Sequence, residues 1–243
     1  MRKILTVETR LLLREPAGLI FAVLLPIGLL LILGSLPTFR TPDPKLGGMR
    51  LIDNHFPAMM TALAVVTLAF VFVPSALALY REKGILRRMS TTPVHPVKLL
   101  AAQLVLNGVT AVVAVVLMIV AGGLVHGVPA PRNVAGFALS FVLGVASLFA
   151  IGLTIAAVVG AKAAPAIGNV LMFPLLFFSG VWMPREMMPE ALRRIGDFLP
   201  VAPFGQAMRD TWAGGSPQVL NLVAMAMTLL GAGVVAVRTF RWE

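Results

Sequence analysis

The stretch 99-LLAAQLVLNGVTAVVAVVLMIVAGGLV-125 decides the fold of this chain, because no Asp, Glu, Lys or Arg interrupts it. A helix of about 20 apolar residues is long enough to cross the hydrocarbon core of a bilayer. A β-barrel would instead show alternating segments of about ten residues, so such long apolar runs predict helices. Five other windows share the property, and the six predicted spans are 17–36, 58–79, 99–125, 135–159, 165–183 and 217–237.

Composition supports the same fold class. Hydrophobic residues make up 58% of the 243 residues and charged residues only 12%, whereas a soluble domain has about 25% charged residues. The net charge of +10 therefore belongs to loops at the membrane surface, and no nucleic-acid-binding motif accompanies it. We expect an all-α membrane protein, a single transmembrane domain over residues 1–243, in contact with the lipid bilayer and with no nucleic acid. The absence of cysteine excludes disulfides and thiol chemistry.

The distribution of basic residues predicts the orientation of the chain. Placing both chain ends in the cytoplasm puts 12 Lys and Arg residues in the inner segments and 8 in the outer ones, as the positive-inside rule prefers. No A-x-A cleavage site follows the first apolar window, so we interpret it as a retained span. Residues 1–15 have the pattern of an interfacial helix, which also fits an ordinary charged flank of a span. We predict a multi-pass protein of the cell (inner or plasma) membrane.

Small residues in the fourth span predict close helix packing. Gly, Ser and Ala at intervals of four let neighbouring backbones approach, and the two sets are Gly136, Ser140, Gly144 and Gly152, Ala156, Gly160. The polar residues of the third and fifth spans are uncharged. We interpret them as interhelical hydrogen-bonding groups or as the lining of a path for an amphipathic solute; they are Gln103, Asn107, Thr110, Asn169 and Ser179.

The chain lacks the residues that several functional classes of membrane protein need. Ion- and proton-coupled transporters place ionisable side chains inside the membrane, and none of the six windows contains Asp, Glu, Lys or Arg. The chain has no HExxH, GxSxG or GxxxxGKS/T motif, and its three histidines, His55, His95 and His126, are expected to lie apart. We therefore expect no catalytic, cofactor-binding or metal-binding residue in this chain. Any uphill transport must draw its energy from a separate polypeptide.

The most charged window is the loop between the second and third spans, 80-YREKGILRRMSTTPVHPVK-98. Its charge order predicts a short helix from Arg81 to Met89, because Glu82 lies in the first turn and two arginines lie near the end. The prolines that follow stop this helix. Its apolar side, available to a groove on a partner or to lipid, consists of Ile85, Leu86 and Met89. The loop is either a docking element or simply a topology anchor.

Two stretches of the chain resemble a known family. The segment 81-REKGILRRMSTTPVHPVKLLAAQL-104 resembles the first cytoplasmic loop of type-two ABC transporter permeases, and the matching residues are Glu82, Gly84, Leu86 and Pro93. The segment 176-LFFSGVWMPREMMPEALRRIGDFLPVAPFGQAMRD-210 is similar to the family's stretch before the last span, and the matching residues are Ser179, Gly180, Pro184, Pro189, Leu199, Pro200 and Arg209. The resemblance covers essentially the whole chain. It looks closest to the drug-export branch, which includes daunorubicin-resistance type permeases.

The resemblance implies a set of partners and sites. A homodimer, or a pair with a sister permease, would carry two copies of an ABC ATPase on the cytoplasmic face, and ATP and Mg would bind to that ATPase rather than to this chain. The basic loop would couple the subunits through Arg81, Glu82, Lys83, Gly84, Leu86, Arg87, Arg88 and Met89. Spans two and five would line the substrate path, where this sequence offers Phe70, Phe72, Asn169, Phe173 and Phe177. Short outer helices would lie between spans five and six.

These observations favour one function and leave two others open. The leading hypothesis is the permease subunit of an ATP-driven exporter of an apolar or amphipathic substrate, such as a drug, a lipid or a secondary metabolite, because uncharged spans cannot pair with a buried ion. One alternative is an interfacial lipid-modifying enzyme, for which the acidic residues Glu186, Glu190, Asp197 and Asp210 are available. The other is a sensor or assembly factor that docks a soluble partner through residues 80–98.

Overall fold

The computed structural model describes residues 16–42, 48, 50–86, 96–160, 163–180 and 188–239. Within these ranges the regular structure is helical, with no β-strand and one isolated bridge between Pro42 and Arg50. The described helices, α1 to α8 in chain order, are Pro16–Ser35, His55–Glu82, Pro96–His126, Val134–Val158, Ala164–Phe178, Glu190–Asp197, Val201–Trp212 and Val219–Thr239. Single turns of 3-10 helix at Pro37–Phe39 and Leu51–Asp53 lie between α1 and α2. The all-α prediction is confirmed for this part of the chain.

Each of the six predicted spans coincides with one apolar helix, α1 to α5 and α8. By length and composition, α2, α3, α4 and α8 could each cross a membrane, and the apolar stretches Ala22–Ser35 of α1 and Ala164–Phe178 of α5 are shorter. With 15 residues, α5 is about 22 Å long, against a hydrocarbon thickness of about 30 Å. The predicted interfacial helix, residues 1–15, and residues 240–243 lie outside the described residues. The orientation of the chain therefore stays a prediction.

Helix α2 lies at the centre of the bundle. All 13 residues of its first part, His55–Thr67, are buried, and α2 packs against α1, α4 and α7. Helices α3 and α8 instead turn rows of Val and Leu outward, and Leu124 of α3 is 82% exposed. Such continuous apolar surfaces are unfavourable in water and suit helices surrounded by lipid. Helices α2, α4 and α8 finish at one end of the bundle, called the Arg81 end, whereas α1 and α3 finish at the other, called the Arg40 end.

The hydrogen bonding of α2 changes near the middle of the helix. The N–H of Val73 donates to the carbonyl of Leu68, five residues earlier, so the turn Leu68–Phe72 is wider than an α-helical turn. Pro74 explains the change, because proline has no N–H to donate to the carbonyl of Phe70 four residues before it. A single proline in the sequence thus opens the backbone of the central helix.

Glycines of two neighbouring helices fit against that wide turn. A Cβ added to Gly152 of α4 would overlap the carbonyl oxygen of Ala69, and one added to Gly168 of α5 would overlap that of Phe70. The close approach predicted from the small residues of the fourth span is confirmed at Gly152. Gly160 lies beyond the end of α4, and none of the described residues comes within 4 Å of a Cβ added to it.

Helix α7 is short but lies in the interior. It packs against α2, α4 and α8, and its side chains include the fully buried Phe204 and Trp212. The ring of Phe204 occupies the space that a side chain on Gly144 of α4 would need. The indole Nε1–H of Trp212 donates to the carbonyl of Pro129 at 2.9 Å. Two short helices between the fifth and last spans are therefore present as predicted, but the second is a core element.

Helix α6 is the exposed member of that pair. The spacing of Glu190 and Arg194, four positions apart, predicts an ion pair, which is present. Phe198, directly after the helix, is 89% exposed. The sequence pattern from Met187 to Leu199 predicts a single apolar stripe on one helical face. This stripe is not continuous, because Met188 is buried while Ile195 is exposed. Met187 itself lies outside the described residues.

Candidate functional site

The start of the predicted coupling element differs from the prediction. Arg81 and Glu82 form the last turn of α2 rather than the first turn of a separate helix from Arg81 to Met89, so this predicted helix start is wrong. The reason is Gly84, whose φ of +65° places it in the left-handed region, where it ends the helix as glycine commonly does. The N–H of Gly84 donates to the carbonyl of Arg81 at 3.0 Å. Helical conformation resumes at Ile85.

The Arg81 side chain points toward α4. Its Nη1 donates to the carbonyl of Ala156 at 2.6 Å and to that of Val159 at 3.2 Å. The last carbonyls of a helix have no partner within the helix, and a cation there also complements the negative end of the helix dipole. The resemblance implies that Arg81 contacts a partner subunit. The structure shows that it caps α4 within its own chain.

Leu86 is also directed inward. It is 0% exposed and belongs to a buried cluster formed by side chains of α2, α4 and α8, namely Val73, Leu77, Tyr80, Leu153, Ala156, Ala157 and Ala236. The prediction that Leu86 forms an apolar surface for a partner or for lipid is therefore wrong. Glu82 and Lys83 are exposed. The remaining predicted coupling residues, Arg87, Arg88 and Met89, lie outside the described residues, and the coupling role of the set stays a prediction.

The predicted path residues divide into two groups. Phe70 is 1% exposed and belongs to the main hydrophobic core, so it faces the interior of this chain, and Phe72 is partly buried beside the same core. Asn169, Phe173 and Phe177 recur at intervals of four on α5 and share one exposed face. Phe173, at the centre of this α5 face, is 60% exposed. Their role in substrate passage stays a prediction.

Comparison with known proteins identifies the family. The sequence model of a protein family described as "ABC-2 type transporter" matches residues 2–212 of this chain, a range that ends at the last residue of α7. The chain belongs to this family. The family prediction made from the basic loop and the segment before the last span is thereby confirmed.

Individual relatives carry related names. The Bacillus subtilis transport permease YvfS is 24% identical to this ABC-2 permease over 227 residues, which cover 92% of this chain and 91% of YvfS. The inner membrane transport permease YhhJ of Escherichia coli is 28% identical over 209 residues, 79% of this chain, and the match spans 52% of YhhJ, about half of its length. This ABC-2 permease is a multi-pass integral protein of the cell membrane and a membrane transport subunit of an ABC transporter. The family implies an ABC ATPase as its partner.

Polar side chains inside this ABC-2 permease connect α3 to α2. The Nε2 of Gln103 donates to the hydroxyl of Tyr80 at 3.4 Å, and the Nδ2 of Asn107 donates to the Oε1 of Gln103 at 3.1 Å. The predicted interhelical hydrogen bond is confirmed at Gln103. Asn169 and Ser179 donate instead to carbonyls of their own helix or its last turn.

A second polar connection, not predicted from the sequence, joins α1 and α3 at the Arg40 end. The Nε of Arg40 donates to the carbonyl of Gly34 at 2.6 Å, and its Nη2 lies 2.8 Å from the Nδ1 of His126. Because a guanidinium can only donate, this Nδ1 accepts, and the proton of the imidazole lies on Nε2, which donates to the carbonyl of Leu31 at 2.8 Å. No sequence motif marks this pair, since the two residues are 86 positions apart.

Two other features complete the Arg40 end of the permease. His55 lies before the predicted second span, 58–79, yet it is the first residue of α2 and is buried, because the helix begins directly after Asn54. Arg50 and Asp53 form a two-bond ion pair, Nε to Oδ2 at 2.6 Å and Nη2 to Oδ1 at 2.8 Å, which raises the pKa of Arg50 above its usual value. Across the described ranges, no group of three His, Asp or Glu side chains is placed to hold a metal ion.

Proposed function

We propose that this ABC-2 permease is the membrane-spanning subunit of an ATP-driven exporter that moves an apolar or amphipathic substrate out of the cytoplasm. The observation that carries the proposal is the α5 face of Asn169, Phe173 and Phe177, which is exposed, aromatic and uncharged. Aromatic side chains with one amide can accept a largely apolar molecule and orient it by a hydrogen bond. A charged solute would need an ionic partner at this depth.

The same face supports assembly with a second permease copy. Asn169 exposes a primary amide on a helix whose other exposed side chains are mostly apolar. One N–H of this amide donates to the carbonyl of Pro165 in the same helix, but the other polar groups of an amide facing lipid are costly unless they also find a partner. A second copy, identical or a sister permease, placed against α5 would bring two such faces together around a central path. Because α5 is shorter than the hydrocarbon is thick, that path would be short.

The exposed side of the coupling element would contact the ATPase. Glu82 and Lys83 are the exposed residues of the described part, and Arg87, Arg88 and Met89 would continue the same contact. In this arrangement the Arg81 end faces the cytoplasm, as the charge bias predicts. Two ATPase copies would hold ATP and Mg, and this chain would hold no cofactor. Drugs, lipids and secondary metabolites are the substrate classes that we favour, in keeping with the drug-export branch.

A pull-down from the native membrane tests the proposal. The detergent-solubilised chain is recovered and the co-purifying proteins are identified, beside a variant with Glu82→Lys and Lys83→Glu that keeps the net charge. We expect a soluble ATPase in roughly equal amount with the native chain and much less with the variant. The variant should still insert, because both residues are exposed. Recovery of the native chain without an ATPase would refute the proposed function.

A further inference from the structure

We infer that Arg81 and Leu86 are positioning residues that fasten the coupling element to α4, so that movement of the ATPase is delivered to α2, α4 and α8 as one unit. This inference rests on the proposed function. Arg81 and Leu86 contact other helices of the same chain, whereas Glu82 and Lys83, between them in sequence, are exposed. Inward-directed and outward-directed residues thus occur within the same six positions, 81–86.

The first connection is polar. Arg81 lies in the last turn of α2, and its guanidinium holds two carbonyls at the end of α4, those of Ala156 and Val159. Charge-assisted hydrogen bonds are shorter and stronger than neutral ones, and a partly buried site strengthens them further. A displacement of the end of α2 must therefore either carry α4 along or break both bonds.

The second connection is apolar. Leu86 belongs to a buried cluster that also contains the small side chains of Ala156 and Ala157 of α4 and Ala236 of α8. Its complete burial means that it cannot leave this cluster without opening a cavity in a close-packed interior. Only Lys83, Gly84 and Ile85 separate Leu86 from the end of α2, so Leu86 attaches this short piece of chain to the cluster that includes α4.

Further contacts extend the unit beyond this end. The hydroxyl of Thr154 in α4 donates to the carbonyl of Ala232 in α8 at 2.8 Å, and Gly152 lies against the wide turn of α2. Helix α3 also meets α2 here, where the Nε2 of Gln103 donates to the hydroxyl of Tyr80 at 3.4 Å, a longer hydrogen bond than the two made by Arg81. We expect α2, α4 and α8 to move as one unit and α3 to move separately.

The test uses the permease and its ATPase reconstituted together in lipid vesicles, with transport and ATP hydrolysis measured in the same sample. For Arg81→Ala we expect the ATPase to co-purify at the native ratio and to hydrolyse ATP, while the substrate moved per ATP falls roughly three- to thirtyfold. Arg81→Lys should recover part of this loss, because an ammonium can still donate to one carbonyl. Arg238→Ala is the matched control, since it removes an exposed arginine from the last turn of α8.

Two outcomes separate this inference from the proposed function. Native transport per ATP in Arg81→Ala, with the ATPase bound, would overturn the inference and leave the exporter proposal intact. Failure of the native chain to bind any ATPase would overturn the exporter proposal itself. If Arg81→Ala does not accumulate in the membrane, Leu86→Ala takes its place with Leu124→Ala, a lipid-facing leucine, as the control.

Distance measurement gives a second readout that does not depend on transport. The chain contains no cysteine, so spin labels can be attached at introduced cysteines alone. We expect the distance between labels at Leu79→Cys and Val158→Cys to stay the same when ATP binds, and the distance between Lys98→Cys and Val158→Cys to change. In the Arg81→Ala background the first distance should become broadly distributed. A change of the Leu79–Val158 distance on ATP binding in the native background would contradict the single unit.

Discussion

The α-carbon of Gly168 in α5 lies against the carbonyl oxygen of Phe70 in α2, with no room for a methyl group between them. Pro74 has no N–H to donate to that carbonyl, so the oxygen lacks its usual α-helical donor four residues later and can face a neighbouring helix. A weak Cα–H···O interaction suits this geometry. Gly152 of α4 meets the adjacent carbonyl, that of Ala69, in the same way. The central helix is thus held on two sides by glycines.

Gly168→Ala should destabilise the folded permease by about 1–3 kcal/mol or more, because the methyl group would meet backbone rather than a side chain that can turn away. The measurement is thermal unfolding in detergent, followed by size-exclusion chromatography with fluorescence detection. Gly231→Ala is the control, since an added Cβ there meets nothing within 4 Å. Equal midpoints for the two variants would contradict the close contact.

Phe204 and Gly144 should be energetically coupled. Phe204→Ala alone should cost about 3–5 kcal/mol because it opens a cavity in the core. Gly144→Ala alone should also be costly, because its methyl group overlaps the Phe204 ring. In the double variant the methyl group enters the cavity. The loss of unfolding free energy in the double variant should therefore be clearly smaller than the sum of the losses in the two single variants. Unfolding midpoints of the four proteins measure this, and strict additivity would mean that the two residues do not touch.

Arg40→Ala should destabilise the connection between α1 and α3 by about 1–3 kcal/mol, because the carbonyl of Gly34 and the Nδ1 of His126 lose their donor. The same thermal unfolding assay reports the effect. His126→Ala should lower the free energy of unfolding by less in the Arg40→Ala background than in the native one, because the hydrogen bond between the two side chains is already absent there. Arg193→Ala, which removes an exposed arginine of α6, should change stability by no more than about 1 kcal/mol.

The phenylalanines of α2 and α5 should behave differently when truncated. Phe70→Ala should lower stability by about 3–5 kcal/mol, because the ring is buried in the core. Phe173→Ala and Phe177→Ala should leave the unfolding midpoint nearly unchanged but alter the range of substrates transported. Transport of a panel of apolar and cationic dyes by reconstituted vesicles measures the second effect. If the α5 variants lose stability and keep their substrate range, the exposed face is a packing surface.

Hydrophobicity alone located the six apolar helices, because a run of uncharged residues leaves few alternatives to a helix in a membrane. Glycine spacing also predicted a real contact at Gly152. The direction of individual side chains could not be predicted in this way. Arg81 looks like a surface charge in the sequence, yet its partners are carbonyls at the end of a helix that lies 75 positions later. Local pattern carries no information about such a partner.

Two other differences between the predicted and the observed structure have causes that are visible in the sequence. The left-handed Gly84 ends α2, and a glycine directly after a basic helical end is a recognised stop signal. The resemblance predicts short outer helices between spans five and six. Helix α7 occupies this position in the sequence and carries Arg209 and Asp210. Its row of Val201, Ala202, Phe204, Ala207 and Met208 is nevertheless fully buried. A helix too short to span can still lie in the core when longer helices surround it.

The interior position of α7 has a consequence for how the protein is made. Twelve residues give a length of about 18 Å, too short for independent insertion across a bilayer. The helices that pack against α7 are α2 and α4, which are synthesised earlier, and α8, which is synthesised later. Asn221 of α8 donates to Gln206 of α7. The ribosome therefore completes α7 before α8 is present to pack against it. We expect the nascent chain to hold Phe204 and Trp212 outside their final places until α8 arrives, which makes this interval the one most open to membrane chaperones and proteases.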